Sequence, residues 1–249
     1  MNRSYRGWLL ICVALLIVLA GVSTPAIAQC GTRRVAITGD TNPANNCLSA
    51  ATPCKSINHA IAVACTNDTI AVGEGSYFED VIADKRVFID SSGTNSLTLL
   101  RGTGTSDIVR LLATGVQLNG FTVDGPASGA CVRIGDPAHP GVRSAQITNS
   151  TIRNCRYGVL IDSIGTVGDW NRISGNTIEL NDSDSTPDSG TGVLLLGGSG
   201  RVQLRQNTMR NNDGPALKQA PGSNNTLEIA GNTISGSVAG SRRRASSMP

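Results

Sequence analysis

The segment from Leu180 to Thr191, LNDSDSTPDSGT, carries three carboxylates within a short polar stretch. Asp182, Asp184 and Asp188 offer the oxygen ligands that Ca²⁺ prefers, of which it takes about six to eight. The Asp, Ser, Pro and Gly residues of the segment are equally typical of solvated turns. We therefore interpret the segment first as a solvated loop and keep a calcium site as the alternative. Nothing else in the sequence requires a cofactor.

Aromatic side chains that stack against sugar rings are scarce, because Phe, Trp and Tyr together make up 3% of the chain. The candidate carbohydrate contacts are Trp170 and Tyr157, with Tyr77 as a third. A strong sugar-binding platform is therefore not indicated by composition alone.

Residues 1–28 predict a secretory signal peptide. Arg3 and Arg6 precede the apolar run WLLICVALLIVLAGV, and a small-residue exit site ends at Ala28. The run is shorter than the stretch of about 20 apolar residues that a spanning helix needs. We therefore expect a secreted or extracytoplasmic protein, in the periplasm or at the cell surface, that meets a membrane only through this segment.

Removing Arg3 and Arg6 lowers the formal net charge from +3 to +1. Three of the remaining positive charges are Arg242 to Arg244, within a stretch (241–249) that we predict to be a disordered basic tail. No basic surface of the kind that binds nucleic acid is indicated, and we predict no nucleic-acid partner.

Cysteine usage also favours export. Without residues 1–28 the chain keeps six cysteines, an even number that is typical of disulfides in secreted proteins. Cys47 and Cys54 lie seven residues apart across a Pro-containing loop and are the first predicted pair. Cys131 and Cys155 are a second pair that the repeat described next makes geometrically plausible.

The elements that must position these residues come from a repeat. Five segments align when their first apolar residue is placed at position zero: LNGFTVDG from Leu118, ITNSTIRN from Ile147, ISGNTIEL from Ile173, LRQNTMRN from Leu204 and IAGNTISG from Ile229. Positions zero and five are apolar in every segment, so both face a core. Self-similarity at this period predicts a solenoid in which each coil packs against its neighbours.

The remaining columns predict the shape of each coil. Position four is always threonine, on the opposite strand face: Thr122, Thr151, Thr177, Thr208 and Thr233. Position six carries charges of alternating sign in its first four units, which become neighbouring opposite charges when coils stack. Positions two and three are rich in Gly and Asn, which predicts a bend in the chain. We expect Asn176, Asn207 and Asn232 to stack there as an amide ladder.

Short strands per coil, split by Gly and Asn, predict an all-β fold: a right-handed parallel β-helix solenoid of about 5–7 coils. The domain spans 29–240, with the repeats at about 116–236. Residues at about 56–65 have apolar side chains at helical spacing behind Ser56, which predicts a short N-terminal capping helix. The sequence shows no such cap after the last unit. The last coil is therefore frayed or protected by a partner, for which self-association through the uncapped C-terminal end is our hypothesis, or the chain is a truncated member of its family.

The stretch from Asn45 to Ile89 resembles the start of bacterial secreted β-helix proteins of the pectin lyase-like superfamily. GEGSYFEDV from Gly73 is similar to the G-x-Y-x-E stretch of pectinesterases, and the later units resemble parallel β-helix repeats. The resemblance covers Asn45 to about Gly240. It implies the fold, whereas the activities within this superfamily range from lyases and hydrolases to members without known activity.

The resemblance also implies where chemistry would lie. Pectate lyases use calcium held by aspartates and an Arg or Lys that removes a proton; the candidates here are Asp124, Arg133 and Asp162. The motifs of polygalacturonase-like hydrolases and the paired aspartates of pectinesterases have no match in this sequence. GDPAHP is similar to the D-P-H motif of alginate epimerases, but Ala138 interrupts it, and a plain loop holding Asp136 and His139 is the first interpretation.

We therefore predict an exported β-helix protein that is a non-catalytic scaffold and contacts polysaccharide or the cell envelope. The alternative is a calcium-assisted polysaccharide lyase or a glycoside hydrolase acting on uronic-acid polymers.

Overall fold

The computed structural model describes residues 29–93, 97–104, 106–162, 169–182, 188–197 and 200–237, with the backbone alone at 126 and 127. The predicted signal peptide, Asp184 and the predicted basic tail lie outside the described residues. One helix, α1 (Ile57–Val63), accompanies a series of short strands in the described part of the chain.

The strands are, in chain order, β1 (Arg33–Asp40), β2 (Thr69–Val72), β3 (Gly75–Phe78), β4 (Val81–Ala83), β5 (Phe88–Ser91), β6 (Thr98–Arg101), β7 (Val109–Leu111), β8 (Gln117–Asn119), β9 (Thr122–Ile134), β10 (Gln146–Thr148), β11 (Thr151–Ile161), β12 (Asn171–Ser174), β13 (Thr177–Glu179), β14 (Thr191–Leu195), β15 (Arg201–Arg205), β16 (Thr208–Arg210), β17 (Leu217–Gln219), β18 (Thr226–Ala230) and β19 (Thr233–Ser235).

Parallel pairing arranges these strands in three stacked faces. The first face is the eight-stranded sheet β1-β2-β5-β8-β10-β12-β15-β18. The second face contains β3, β6, the first halves of β9 and β11, and then β13, β16 and β19. The third face contains β4, β7, the second halves of β9 and β11, and then β14 and β17. The five repeat units form five successive coils, so the predicted parallel β-helix is confirmed.

The core lies between the three faces. Position zero pairs in register down the first face, and Leu118, Ile147, Ile173 and Leu204 are all 0% exposed. Position five does the same on the second face, from Val123 to Met209, with at most 1% exposure. Each such side chain contributes about 1.5–3 kcal/mol by burial, so the two predicted apolar columns are a large source of stability.

The first corner of each coil lies at position two, as predicted. The backbone there has a positive φ in all five units: 81° at Gly120, 49° at Asn149, 68° at Gly175, 54° at Gln206 and 63° at Gly231. Side chains other than Gly and Asn rarely adopt this conformation, so Gln206 is the exception in the column. The bend turns the chain from the first face to the second.

A second corner was not predicted. Position seven also has a positive φ, at Asn154, Leu180, Asn211 and Gly236. This bend turns the chain from the second face to the third. Leu180 hides the pattern in the sequence, because a branched apolar residue at a left-handed position gives no turn signal.

Amide side chains bridge the coils at both corners. At the first corner Asn176 Nδ2 donates to Asn207 Oδ1 at 3.0 Å, and Asn207 Nδ2 donates to Asn232 Oδ1 at 2.9 Å. At the second corner, one position after the bend, Asn181 Nδ2 donates to Asn212 Oδ1 at 2.8 Å. Two ladders therefore run along the solenoid, of which the sequence analysis identified the first.

The N-terminal end of the solenoid is covered. Ser56 caps α1 by accepting from the His59 backbone N–H at 3.2 Å, and the helix buries Ile57, Ala60 and Ile61 against the first coils. Glu79 accepts from the Ile57 backbone N–H at 2.8 Å, at the positive end of the helix. The prediction of a short N-terminal helix is confirmed within two residues at each end.

The disulfides join the predicted pairs and add a third. Cys47 is bonded to Cys54, and Cys131 to Cys155, which lie on adjacent coils. Cys30 is bonded to Cys65, a pair that the sequence analysis left unassigned. Beside it, the buried ion pair Arg33–Asp68, at 3.0 Å, ties β1 to the loop before β2.

Candidate functional site

Three charged residues on successive coils meet on the outside of the third face. Arg133 lies on β9, Asp107 two residues before the start of β7, and Asp162 directly after β11. Arg133 Nε donates to Asp107 Oδ2 at 2.5 Å, and Arg133 Nη1 donates to Asp162 Oδ2 at 3.2 Å. We call these residues the Arg133 cluster. The structure thus brings Arg133 and Asp162 together, as the resemblance implied.

Asp107 was missed because it lies upstream of the aligned repeat. The strand register is what places it beside Arg133. Val109 pairs with Val132 and Arg110 with Arg133, so Asp107, just ahead of β7, lies one coil before Arg133. Asp107 Oδ1 also accepts from the Ala130 backbone N–H at 2.7 Å, which fixes the carboxylate in place.

Burial dominates the pKa of Asp162 and raises it above its usual value. The Arg133 guanidinium acts to lower this pKa, whereas the charges of Asp136 and Asp107 act to raise it. The cluster is an ion-pair network in which the arginine is a cation and not a proton acceptor.

Asp136 and His139 lie at the edge of this cluster in a tight turn. The His139 ring Nδ1 lies 2.8 Å from Asp136 Oδ1. Burial acts to raise the pKa of Asp136, but hydrogen bonds from the His139 side chain and backbone outweigh it and lower the pKa. Both side chains are thereby used in holding the turn, which fits the plain-loop interpretation.

Asp124 does not join Arg133 and Asp162, although the resemblance grouped the three. Its carboxylate lies on the second face and accepts from Arg153 Nη2 at 3.1 Å and from Asn154 Nδ2 at 2.6 Å. Position six precedes the second corner and Arg133 follows it, so one coil presents the two residues on different faces. The expected grouping is therefore wrong for Asp124, because Asp107 is the second carboxylate beside Arg133.

The alternating charges at position six pair between coils, as predicted. Arg153 contacts Asp124, and Arg210 Nε donates to Glu179 Oε2 at 2.6 Å. The threonines at position four lie in register on the same outer face and are half-buried in the three middle units.

The candidate aromatic residues lie on different parts of the surface. Trp170 precedes β12 of the first face, and the Arg201 guanidinium stacks over its ring at 5.5 Å. Tyr157 lies on the third face, half-buried against Ala130, Leu160 and Leu194. The two rings therefore do not form one stacking platform.

Tyr77 is buried, with 4% of its surface exposed, and its hydroxyl donates to the Gly73 carbonyl at 2.9 Å. Burial, assisted by the charge of Glu79, raises the pKa of Tyr77 from 10.0 to about 12. It is therefore unavailable as a sugar contact.

This shift predicts a loss of stability at alkaline pH. Between pH 10 and about pH 12 the unfolded chain releases the Tyr77 proton and the folded chain keeps it, so stability falls as pH rises. We expect Tyr77→Phe to remove that slope, at a cost of about 1 kcal/mol at neutral pH from the lost hydrogen bond. Urea unfolding at several alkaline pH values measures it. An unchanged slope in Tyr77→Phe contradicts the assignment.

Two of the three loop aspartates are described, and they do not meet. Asp188 forms an ion pair with Lys218 across one coil, whereas Asp182 lines a shallow depression with Asn154 and Asp213. Among the described residues, the two groups of three with metal-ligand geometry each contain a disulfide, whose sulfurs are not thiolates. A calcium site at Asp182, Asp184 and Asp188 remains a prediction.

The outside of the first face is polar and rich in amide and guanidinium groups. The column one position before the core column contains Gln117, Gln146, Arg172, Gln203 and Glu228 in register. The column one position after it contains Asn119, Thr148, Ser174 and Arg205. The Trp170–Arg201 stack borders these columns.

In the part of the chain that the structure describes, no helix combines the length and the apolar character that crossing a membrane requires.

Comparison with known proteins agrees with this geometry. Residues 138–240 match the family model described as right handed beta helix region. No curated protein matches the sequence. A solved structure of pectin methylesterase from carrot is similar over 86% of this chain and 84% of that chain, with 12% sequence identity and a TM-score of 0.41. The stacked parallel faces make the chain a parallel β-helix, and residues 138–240 of it match the model of right handed beta helix regions.

Proposed function

We propose that the chain is an exported, non-catalytic β-helix scaffold that binds an acidic polysaccharide on its first face. The observation that carries the non-catalytic assignment is that each candidate catalytic group is already held by a charged neighbour. Arg133 is held between Asp107 and Asp162, and Asp124 is held by Arg153 and Asn154. Catalysis by proton abstraction needs a base that is free to reach the substrate, and these groups are committed to each other.

Export is supported by the predicted signal peptide and by the three disulfides, which persist in oxidising compartments. A disulfide-bonded solenoid is a rigid body, and such a body suits a binding role on a surface.

The first face supports the choice of ligand. Its strands repeat at about 4.8 Å, so the amides and hydroxyls of successive coils form evenly spaced rows that suit the hydroxyl groups of an extended glycan. Arg172 and Arg201 are exposed, and neither forms a salt bridge with another described residue. A guanidinium pairs with a carboxylate through two parallel hydrogen bonds, which favours uronic acids over neutral sugars. The Trp170 ring, on which the Arg201 guanidinium stacks, offers an apolar contact at the edge of the first face.

A lyase acting on uronic-acid polymers is the second candidate function. It is favoured by one observation, that Arg133 and Asp162 meet on the third face with the pKa of Asp162 raised. Calcium held by the loop aspartates would assist such a reaction.

Binding to pectate and alginate, compared with neutral dextran, tests the proposal. Affinity electrophoresis of the chain without residues 1–28 is expected to show retardation by both acidic polymers and none by dextran. Arg172→Gln is expected to weaken retardation about fivefold, because an exposed ion pair contributes about 1 kcal/mol. Arg210→Gln is the matched control: it removes the same charge from the second face and is expected to bind as the parent does.

The same protein, incubated with these polymers with and without calcium, distinguishes the two functions. We expect no rise in the absorbance of unsaturated uronide ends. A calcium-dependent rise that Arg133→Ala or Asp162→Ala abolishes would establish the lyase and overturn the scaffold. Equal retardation of the parent protein and Arg172→Gln would remove the first face as the binding surface.

A further inference from the structure

The last coil exposes the two apolar columns that every earlier coil buries. Ile229, at position zero, is 51% exposed, and Ile234, at position five, is 56% exposed. Leu204 and Met209, their in-register neighbours one coil earlier, are 0% and 1% exposed. The C-terminal end of the core is therefore an open apolar surface.

Strand edges surround this surface. β18 is the last strand of the first face and β19 the last of the second, and neither has an outer neighbour among the described residues. Natural proteins protect such edges with charges, prolines, bulges or a covering segment. Neither strand contains proline, and their one charged residue, Glu228, is paired with Arg205 of the preceding coil. Among the described residues, these two edge strands therefore carry no unpaired charge.

The opposite end cannot serve as its partner. There the 47–54 segment pairs with the outer edge of β1: Arg34 N donates to the Cys47 carbonyl, and Asp40 N donates to the Pro53 carbonyl, each at 2.7 Å. The Cys47–Cys54 disulfide and α1 hold this cover in place. Head-to-tail stacking of copies is thereby blocked at one end of every molecule.

By their composition, residues 238–249 are poorly suited to cover the open end. Their apolar side chains are few, and they include Arg242 to Arg244. A second copy, in contrast, presents the same two edge strands and the same two isoleucines. Self-complementary contact of one surface with itself produces a closed twofold pair.

We propose that two copies of the chain join through their last coils, C-terminal end to C-terminal end. β18 and β19 of each copy face those of the other, and Ile229 and Ile234 of both copies enter one continuous core. The covered N-terminal ends stop further addition, so the assembly ends at two chains. The proposal is independent of any polysaccharide ligand.

Sedimentation equilibrium of the chain without residues 1–28 tests this assembly. The parent protein is expected to have the mass of two chains. Ile234→Lys places a charge on the open edge and is expected to raise the dissociation constant at least tenfold. Ile229→Lys, on the neighbouring face, is a second variant with the same expectation. Ile37→Lys is the matched control, because Ile37 is 46% exposed near the covered end, and it is expected to remain a pair.

Far-ultraviolet circular dichroism of each variant shows whether the solenoid is intact. A parent protein that stays a single chain at the highest attainable concentration overturns the proposal. If Ile234→Lys also destabilises that single chain, the occupant of the open end is the segment after Ser237 and not a second copy. The proposal is also overturned if Ile37→Lys dissociates the two-chain assembly as strongly as Ile234→Lys does.

Discussion

Replacing Asn207 with alanine is expected to lower the free energy of unfolding by about 4 kcal/mol, more than any other single polar substitution in the repeat. The Asn207 side chain is in the middle of the first ladder and is 1% exposed. Its Oδ1 accepts from the Asn176 backbone N–H at 3.1 Å and from Asn176 Nδ2 at 3.0 Å. Its Nδ2 donates to the Ile173 carbonyl at 2.8 Å and to Asn232 Oδ1 at 2.9 Å.

The size of this effect follows from the buried polar groups that lose their hydrogen-bond partners. Alanine removes all four contacts and leaves the Asn176 N–H and the Ile173 carbonyl without these partners in a site that excludes water. Each buried polar group left unsatisfied costs about 1–3 kcal/mol, and the small cavity adds to the sum.

Asn232→Ala is the matched control, since Asn232 is the last amide of the same ladder. Its Nδ2 donates to the Leu204 carbonyl at 2.8 Å, and its Oδ1 accepts from the Asn207 backbone N–H and Nδ2, each at 2.9 Å. Because the Asn232 side chain is half-buried, water replaces part of these bonds, and we expect a smaller cost of about 2 kcal/mol. Urea unfolding of both variants measures the difference. If the two substitutions have the same cost, the ladder is not a buried network and its stabilising role is wrong.

The first ladder was predictable because the sequence repeats the same residue at the same position. Asn176, Asn207 and Asn232 follow a bend whose Gly and Asn residues are visible in the alignment. The columns at positions zero and five were equally visible, since alternation of apolar residues along a strand fixes which side chains enter the core.

The second ladder was hidden for a physical reason. Its column contains Cys155, Asn181, Asn212 and Ser237, and each of the last three supplies an acceptor for the backbone N–H of the residue one coil earlier. Asn212 N donates to Ser237 Oγ at 3.2 Å, and Asn181 N donates to Asn212 Oδ1 at 3.2 Å. A column that preserves hydrogen bonding without preserving residue type gives no repeat signal in one sequence.

The candidate site was predictable only in part. Arg133 and Asp162 lie one coil apart, at positions that the repeat places on the same face. Asp124 was grouped with them because the repeat shows that it belongs to the same coil as Arg133. Which face of that coil it lies on depends on the second corner, which the sequence did not reveal. Asp107 was missed because its coil lacks the Asn-Thr motif that defines the repeat. Register between strands, and not composition, decided which charges meet.

Removing the Cys131–Cys155 disulfide is expected to have the second large effect. Cys131 on β9 and Cys155 on β11 are buried in the core and join adjacent coils near the second corner. The Cys155 backbone N–H donates to Asn181 Oδ1 at 3.2 Å. The disulfide therefore extends the second ladder by one coil, from Cys155 to Cys131. The disulfide thus holds together the coils that carry Arg133 and Asp162.

We expect the double variant Cys131→Ala, Cys155→Ala to lose about 3 kcal/mol, because the bond closes a loop with a sequence separation of 24 residues in the unfolded chain. The variant Cys47→Ala, Cys54→Ala is the control, and its shorter loop, with a separation of 7, predicts about 2 kcal/mol. Urea unfolding without reducing agent measures both. The inter-coil bond also couples β9 to β11, so its loss is expected to expose the Arg133 region first in hydrogen exchange. Uniform loss of protection along the solenoid, or a larger effect from the Cys47–Cys54 pair, would show that this bond does not hold the two coils together.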